Sequence, residues 1–180
     1  DGEDAEPTFM VPVIPYAVFL NKTAPATGWK IDLVAREWND VYNYVINKID
    51  GKKYSKMDSC STDYAGEIEE DDKSVIYNGV YEVKGFDVYV TEMPLRKDIS
   101  KIVNTWNSSD DVISVNGDKK SINFIDMIVK CKNQDGVDMV IKSLKISVKL
   151  LINYVDGDKL VNEFDNYSQL IDKWFDVRKK

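Results

Sequence analysis

The stretch Ser74-Val75-Ile76-Tyr77-Asn78-Gly79-Val80-Tyr81-Glu82-Val83 carries the strongest local signal for the fold. Two runs of β-branched and aromatic residues, 74–77 and 80–83, flank an Asn-Gly dipeptide. Type I′ turns prefer this dipeptide because both of their central residues take positive φ angles. The stretch therefore predicts a β-hairpin with its tip at Asn78-Gly79.

More strands are predicted downstream of this hairpin. Apolar and polar residues alternate over 86–90, which indicates a strand with one buried face after Gly85. A second Asn-Gly pair, Asn116-Gly117, separates 112–115 from the apolar run 122–129 and predicts a second hairpin. The central part of the sequence is therefore typical of an antiparallel sheet.

Helical patterns lie on both sides of these strands. Apolar spacing over 31–49 predicts a helix that ends before Gly51, and Asp98 is a suitable N-cap for a short helix. The segment 158–178 has an apolar stripe and basic residues in its last turn, as a terminal helix should. The segment 137–155 fits both a helical stripe and strand alternation, and its length favours a helix.

These patterns predict an α+β fold. We expect an antiparallel, hairpin-rich sheet, with a long helix in the N-terminal half and one or two C-terminal helices packed on it. A length of 180 residues with 43% hydrophobic content suits one core. The expected organisation is a flexible N-terminus at 1–7, followed by a single domain at 8–180.

The charge balance bears on possible partners. Twenty-four basic and thirty-one acidic residues give a net charge of −7, the wrong sign for neutralising phosphates. The longest apolar run, from Phe9 to Leu20, is broken by Pro12 and Pro15 and falls short of the ~20 residues that span a bilayer. The sequence therefore predicts neither a nucleic-acid partner nor membrane insertion.

The residues for common catalytic mechanisms are missing. The chain has no histidine, which removes Ser-His and Cys-His pairs and the commonest metal ligand. Two cysteines cannot supply a four-ligand zinc site, and no glycine-rich nucleotide-binding motif is present. A pair of carboxylates such as Glu37 and Glu92 is the remaining catalytic possibility, although acidic residues mostly form solvated surfaces. We therefore predict no enzyme activity, no cofactor and no metal.

Two features are compatible with a secretory pathway. Cys60 and Cys131 could form a disulfide, which would close a loop of about 70 residues and add roughly 4 kcal/mol of stability. Two buried thiols are the alternative. Asn21, Asn107 and Asn166 begin Asn-X-Ser/Thr sequons that permit N-glycosylation. An extracellular or cell-surface location is therefore predicted.

A binding function would require exposed aromatic or loop residues. Trp106, at the end of the short helix and one residue before a sequon, is the predicted exposed aromatic. Tyr54, Tyr64 and Asn78 lie in predicted loops or at the hairpin tip. The leading hypothesis is a secreted or cell-surface protein-interaction domain, such as a pathogen or parasite protein that binds a host protein. The alternative is a carrier of small apolar ligands, with a cavity between the sheet and the C-terminal helix.

Overall fold

The computed structural model describes residues 10–54, 56–61, 64–71, 73–120, 124–154 and 162–179. In chain order the elements are a 3₁₀-helix Tyr16–Phe19, β1 Lys22–Ala26, β2 Trp29–Leu33, α1 Trp38–Ile49, β3 Ile68–Asp71, β4 Ser74–Asn78, β5 Val80–Lys84, β6 Asp87–Glu92, α2 Ile99–Asn107, β7 Val112–Lys119, β8 Phe124–Cys131, α3 Gln134–Ser143, β9 Lys145–Lys149, β10 Ile152–Tyr154, β11 Asn162–Phe164 and α4 Tyr167–Arg178. All strand ladders within this described part are antiparallel, which confirms the α+β class. Of the helices in these residues, none is long and apolar enough to cross a membrane.

The chain divides into two compact units. The terminal unit comprises Asp1–Cys60 and Leu150–Lys180, and the central unit comprises Ser61–Lys149. The single domain expected over 8–180 stays a prediction. The flexible terminus expected at 1–7 lies outside the described residues.

The terminal unit combines two small sheets with two helices. β1 pairs with β2, and β10 pairs with β11. Its core is formed by buried side chains from the 3₁₀-helix, the strands, both helices and the segment that follows α1: Val18, Leu33, Val41, Tyr44, Met57, Ile152, Tyr167 and Ile171. Burial of these apolar groups stabilises the unit by removing their surface from water.

The central unit contains a three-stranded sheet, β3-β4-β9, and a four-stranded sheet, β5-β6-β8-β7. Inward residues of β6 and β8 alternate with outward ones, as expected for strands with one buried face. Helices α2 and α3 cover this face, and the shared core includes Val88, Val90, Ile102, Trp106, Ile125, Met127, Val129, Val137 and Val140. Part of the predicted packing of helices on a sheet is therefore present in this unit.

The hairpin predicted at Asn78-Gly79 is wrong. β4 pairs with β3 and β9, whereas β5 pairs with β6, so the chain passes from one sheet to the other at this dipeptide. A Cβ at Gly79 would lie only 2.7 Å from the carbonyl oxygen of Glu92. Glycine is therefore required here by the close approach of two backbones, not by a type I′ turn. The actual turn, between β5 and β6, contains Gly85 with a φ of 64°.

The second predicted hairpin is present, but its turn is displaced. β7 pairs with β8 as expected, yet Asn116-Gly117 lies within β7. Gly117 has a φ of 130°, and a Cβ there would lie 1.9 Å from the Asp126 carbonyl oxygen. The glycine at position 117 is therefore explained by the close approach of the two backbones within the ladder, and not by a turn.

Three predicted helical segments are partly strand. β2 extends to Leu33 and α1 begins at Trp38, so the long N-terminal helix predicted over 31–49 is shorter. In the ambiguous segment, α3 ends at Ser143 and β9 begins at Lys145. The helical and alternating patterns thus each hold for one part of that segment. The terminal helix begins at Tyr167, after the short strand β11.

Candidate nucleic-acid interface

The β1–β2 hairpin forms an exposed ribbon in the terminal unit. Its strands pair antiparallel, and Gly28, with a φ of 78°, lies in the turn that joins them. Lys22, Pro25 and Lys30 are exposed, and Trp29 at the tip is 47% exposed. The ribbon therefore presents basic and apolar groups together.

The base of the hairpin is held by a network around Asp32. This buried carboxylate accepts a hydrogen bond from Thr23 Oγ1 at 2.7 Å and pairs with Lys30 Nζ at 2.7 Å. The Asp32 backbone exchanges hydrogen bonds with Leu151, at 2.9 and 3.1 Å. Asn153 Nδ2 donates to the Lys30 carbonyl at 2.6 Å. These bonds fix the base of the ribbon, and its tip extends beyond them.

The segment after β2 is anchored in the core of the same unit. The Val34 N–H donates to the Tyr167 hydroxyl at 2.7 Å. The buried Arg36 guanidinium lies 4.0 Å from the centroid of the Tyr167 ring, and its Nη1 donates to the Met57 carbonyl at 3.1 Å. A guanidinium stays charged when buried, and an aromatic face stabilises it there. The hairpin is thus attached to a fixed frame.

The local charge distinguishes this hairpin from the β5–β6 hairpin. Residues 22–33 contain two lysines and one aspartate, a net charge of +1 within a chain of −7. Residues 80–92 contain one lysine and three acidic residues, a net charge of −2. Both hairpins carry an exposed aromatic at the tip, Trp29 or Phe86. Only the first combines that aromatic with a basic surface.

The central unit has a polar cleft of about 750 Å³ around Asn78. The Tyr64 hydroxyl donates to the Asn78 carbonyl, and Asn78 Nδ2 donates to Glu69 Oε1 at 2.6 Å. The buried Glu92 accepts two hydrogen bonds of 2.9 Å from the backbone N–H groups of Ala65-Gly66. Burial, with Glu92 nearby, raises the pKa of Tyr64, so the phenol stays protonated and can donate. This arrangement holds a loop onto the sheet and does not form the apolar cavity expected of a carrier.

The residues predicted to bind a partner fall in different places. The prediction that Trp106 is exposed is wrong. Its side chain is 0% exposed, and its Nε1 donates to Ser143 Oγ at 2.9 Å. Its place on the apolar face of α2 decides its burial, and the neighbouring sequon has no bearing on it. Tyr64 and Asn78 are brought together in the central unit, whereas Tyr54 stacks on Tyr44 in the terminal unit. As contact residues, Tyr54, Tyr64 and Asn78 stay predictions.

The predicted disulfide is absent, because both cysteines are free. Cys60 is half-buried in the terminal unit, and Cys131 packs in the core of the central unit. Burial raises the pKa of both thiols, which favours the protonated, unreactive form. The alternative of two thiols therefore holds.

The β1–β2 hairpin was not among the sequence-based predictions. Residues 21–23 form a sequon and the apolar spacing over 31–49 predicts a helix, so the sequence predicts no element for 24–30. The sequence signal for this hairpin is Gly28, which lies between the five-residue segments 22–26 and 29–33. Two residues between such segments permit a tight turn.

The fold itself occurs in a solved topoisomerase structure. The crystal structure of the Plasmodium falciparum topoisomerase II DNA-binding, cleavage and re-ligation domain matches with a TM-score of 0.81 and 16% sequence identity. The match covers 96% of this chain and 26% of that chain. The fold is therefore one found in type II DNA topoisomerases.

The relatives found by sequence similarity are also DNA topoisomerases or subunits of them. DNA topoisomerase 2 of Arabidopsis thaliana is 24% identical over 201 residues, covering 99% of this chain and 13% of the relative. DNA topoisomerase 2 of African swine fever virus (strain Badajoz 1971 Vero-adapted) is 22% identical over 219 residues, covering 100% of this chain and 18% of the relative. The DNA topoisomerase medium subunit of Enterobacteria phage T4 is 27% identical over 109 residues, covering 58% of this chain and 25% of the relative. The chain thus spans at most a quarter of the length of these relatives.

The family model for the A-type subunit of DNA gyrase/topoisomerase IV matches residues 1–180. The chain belongs to this family.

Family membership overturns the functional predictions made from the sequence. The family consists of DNA topoisomerases. Both functional hypotheses are therefore wrong: the secreted or cell-surface interaction domain, including a pathogen protein that binds a host partner, and the carrier of apolar ligands. The prediction of no enzyme is wrong for the same reason, as are the exclusion of nucleic acid and the extracellular location. The glycosylation predicted at Asn21, Asn107 and Asn166 loses its premise of a secretory pathway. In the structure, Asn166 is the N-cap of α4, where its Oδ1 accepts from the Gln169 N–H at 3.1 Å.

Proposed function

We propose that this chain forms a DNA-contacting part of a type II DNA topoisomerase, and that the β1–β2 hairpin contacts the duplex. The observation that carries the proposal is the match of the gyrase/topoisomerase IV family model over all 180 residues. The solved structure with this fold is described as a DNA-binding, cleavage and re-ligation domain. An enzyme that cuts and rejoins DNA must hold the duplex in place, and this chain would supply part of that grip.

The shape of the hairpin suits a DNA groove. A two-stranded ribbon can enter the major groove, which is about 12 Å wide. Lys22 and Lys30 lie on opposite strands of the ribbon and are both exposed. They can approach phosphates on the two sides of the groove, and contacts of this kind supply the salt-dependent part of the affinity.

The tip of the hairpin adds an apolar group. Proteins that deform DNA insert apolar side chains between base steps, and aromatic rings stack on unpaired bases. Trp29 is half exposed beside the turn glycine, with Pro25 on the facing strand. Because the Asp32 network holds the base of the ribbon, little ordering entropy would be lost when the tip binds.

A binding measurement with matched variants tests this proposal. The affinity of the 180-residue chain for a fluorescent duplex would be measured by anisotropy, at several salt concentrations. Trp29→Ala should weaken binding by roughly 5- to 150-fold, the equivalent of about 1–3 kcal/mol for a stacked base. Lys22→Gln should weaken binding and lower the slope of log affinity against log salt by about 0.9 for each lost phosphate contact.

The β5–β6 hairpin provides the control. Phe86→Ala removes an exposed tip aromatic from the acidic hairpin, and Lys84→Gln removes its lysine. Neither change should alter DNA affinity. The assignment of the hairpin would be refuted if Trp29→Ala and Phe86→Ala weakened binding equally. It would also be refuted if neither Trp29→Ala nor Lys22→Gln weakened binding.

A further inference from the structure

Among the residues that the structure describes, helix α1 exposes an apolar stripe. Trp38, Tyr42, Ile46 and Ile49 share one face by their spacing, with exposed fractions of 53%, 56%, 37% and 61%. Only Val41 and Tyr44 of this helix are fully buried. We call the four exposed residues the α1 outer face.

The N-terminal segment extends the α1 outer face. Val13 and Ile14 are exposed and line a shallow cavity with Trp38, Tyr42 and Trp174. The volume of this cavity is about 100 Å³. Ligand pockets for small molecules are roughly 300–1,000 Å³, so a small apolar ligand is a poor occupant.

The α1 outer face is uncharged, although 31% of the chain is charged. The only charged residues of α1 are Asp40 and Lys48, and both bind within the unit. Asp40 accepts the Asp58 N–H at 3.0 Å, and Lys48 pairs with Asp172 at 2.8 Å. A neutral surface rich in Trp and Tyr is typical of the centre of a protein interface and lacks the lysines and arginines that bind DNA.

The exposed apolar area is large for a free surface. Trp38 and Tyr42, each about half exposed, present roughly 100 Å² apiece from side chains that bury 150–250 Å². The aliphatic residues beside them bring the patch to the few hundred Å² that mark interaction sites. Such a surface favours a permanent cover.

We infer that, in the assembled topoisomerase, the α1 outer face is covered by an uncharged, apolar surface from the rest of the enzyme. The matched region is 26% of the solved topoisomerase chain and 13% of the Arabidopsis relative. In these relatives the matched region is therefore accompanied by a much larger amount of protein, which is the source of the cover. The inference rests on family membership and is independent of the hairpin as the DNA contact.

Hydroxyl-radical footprinting tests the inference by comparing the 180-residue chain with the assembled enzyme. Oxidation of Trp38 and Tyr42 should fall by about fivefold or more in the enzyme, because the core of an interface excludes water. Tyr81 and Phe86, exposed aromatics of the central unit, serve as internal references. Tyr42→Gln should lower the yield of assembled enzyme, whereas Tyr81→Gln should not, and neither should change the unfolding of the isolated chain by more than a small amount.

Three outcomes would overturn the inference. Unchanged oxidation of Trp38 and Tyr42 in the enzyme would show that the face stays open. Protection in the isolated chain that grows with its concentration would identify a second copy as the occupant. Protection that appears only on adding duplex DNA would assign the face to nucleic acid. None of these outcomes depends on Trp29, so the proposed DNA contact is tested separately.

Discussion

Tyr44 connects α1 and α4 of the terminal unit through a partly buried polar network. Its hydroxyl donates to Asp172 Oδ1 at 3.0 Å, and Lys48 Nζ pairs with the same oxygen at 2.8 Å. The Tyr44 ring stacks on Tyr54, with 4.4 Å between centroids. Burial, with a further contribution from Asp172, raises the pKa of Tyr44 to about 12, and the hydrogen bond to Asp172 raises the pKa of Lys48. The network therefore depends on a neutral phenol and a charged lysine.

Tyr44→Phe should lower the free energy of unfolding at pH 7 by about 1 kcal/mol, the usual value of one hydrogen bond. It should also reduce the loss of stability in alkali. The unfolded chain releases the tyrosine proton near its ordinary pKa of 10.0, whereas the folded chain retains it to about 12, so rising pH favours unfolding across this window. Urea unfolding at pH 7, 10 and 11 would measure both effects.

Tyr42→Phe is the matched control, since Tyr42 is an exposed tyrosine on the same helix. This variant should retain the full alkaline loss. If Tyr44→Phe and the wild type lose stability in parallel between pH 10 and 11, the role given to the Tyr44 network is incorrect.

The role of a single residue could be predicted from the sequence where that role depends only on neighbouring residues. Asp98 was predicted as an N-cap, and its Oδ1 accepts from the Ser100 and Lys101 N–H groups at 3.0 and 3.3 Å. Capping depends on the next few residues only, so the sequence was sufficient. Trp106 was predicted to be exposed because it lies at the end of a short helix, one residue before a sequon, yet the apolar face of α2 packs it against α3 and the sheet, which are distant in sequence.

Among the secondary-structure elements, α2 is the clearest case of a helix specified by its own sequence. Its cap is Asp98, and Ile99, Ile102 and Trp106 form the face that enters the core of the central unit. Cap and stripe agree on the same start, which makes the helix start predictable.

Asp98→Ala should destabilise the chain by about 1 kcal/mol, because two N–H groups in the first turn of α2 lose their acceptor. The free energy of unfolding of Asp98→Asn should lie within about a few tenths of a kcal/mol of the wild-type value, since asparagine is an equally good N-cap. The midpoint of urea unfolding, with an unchanged slope, provides the measurement. Equal losses in both variants would show that the charge of Asp98 matters more than the cap.

Strand pairing was less predictable than helix formation. The Asn78-Gly79 dipeptide has the local chemistry of a hairpin, but Tyr77 of β4 lies opposite Ile146 of β9. Pairing partners this far apart in sequence leave no local pattern, and a glycine needed for backbone proximity looks the same as one needed for a turn. Strands β4 to β8 and the pairing of β7 with β8 were therefore predictable, whereas the pairing of β4 with β3 and β9 was not.

For the molecule as a whole, net charge was a poor guide to the partner. The value of −7 averages over the chain, whereas the proposed DNA contact is a local surface, the β1–β2 hairpin, with a net charge of +1. Lys22 and Lys30 are two of 24 basic residues, and no motif in the sequence singles them out. The folded ribbon places both lysines and Trp29 on one hairpin, and the helix predicted over 31–49 excludes this arrangement.

Photo-crosslinking would locate the DNA contact on the chain without any substitution in the protein. A duplex substituted with 5-iodouracil would be irradiated with the protein, and the adducts would be mapped by mass spectrometry after tryptic digestion. If the β1–β2 hairpin contacts DNA, the adducts will lie in the peptide of residues 23–30, which contains Trp29. Adducts concentrated in the peptide of residues 85–96, which contains Phe86, or no adducts above background, would contradict the assignment of the hairpin to DNA.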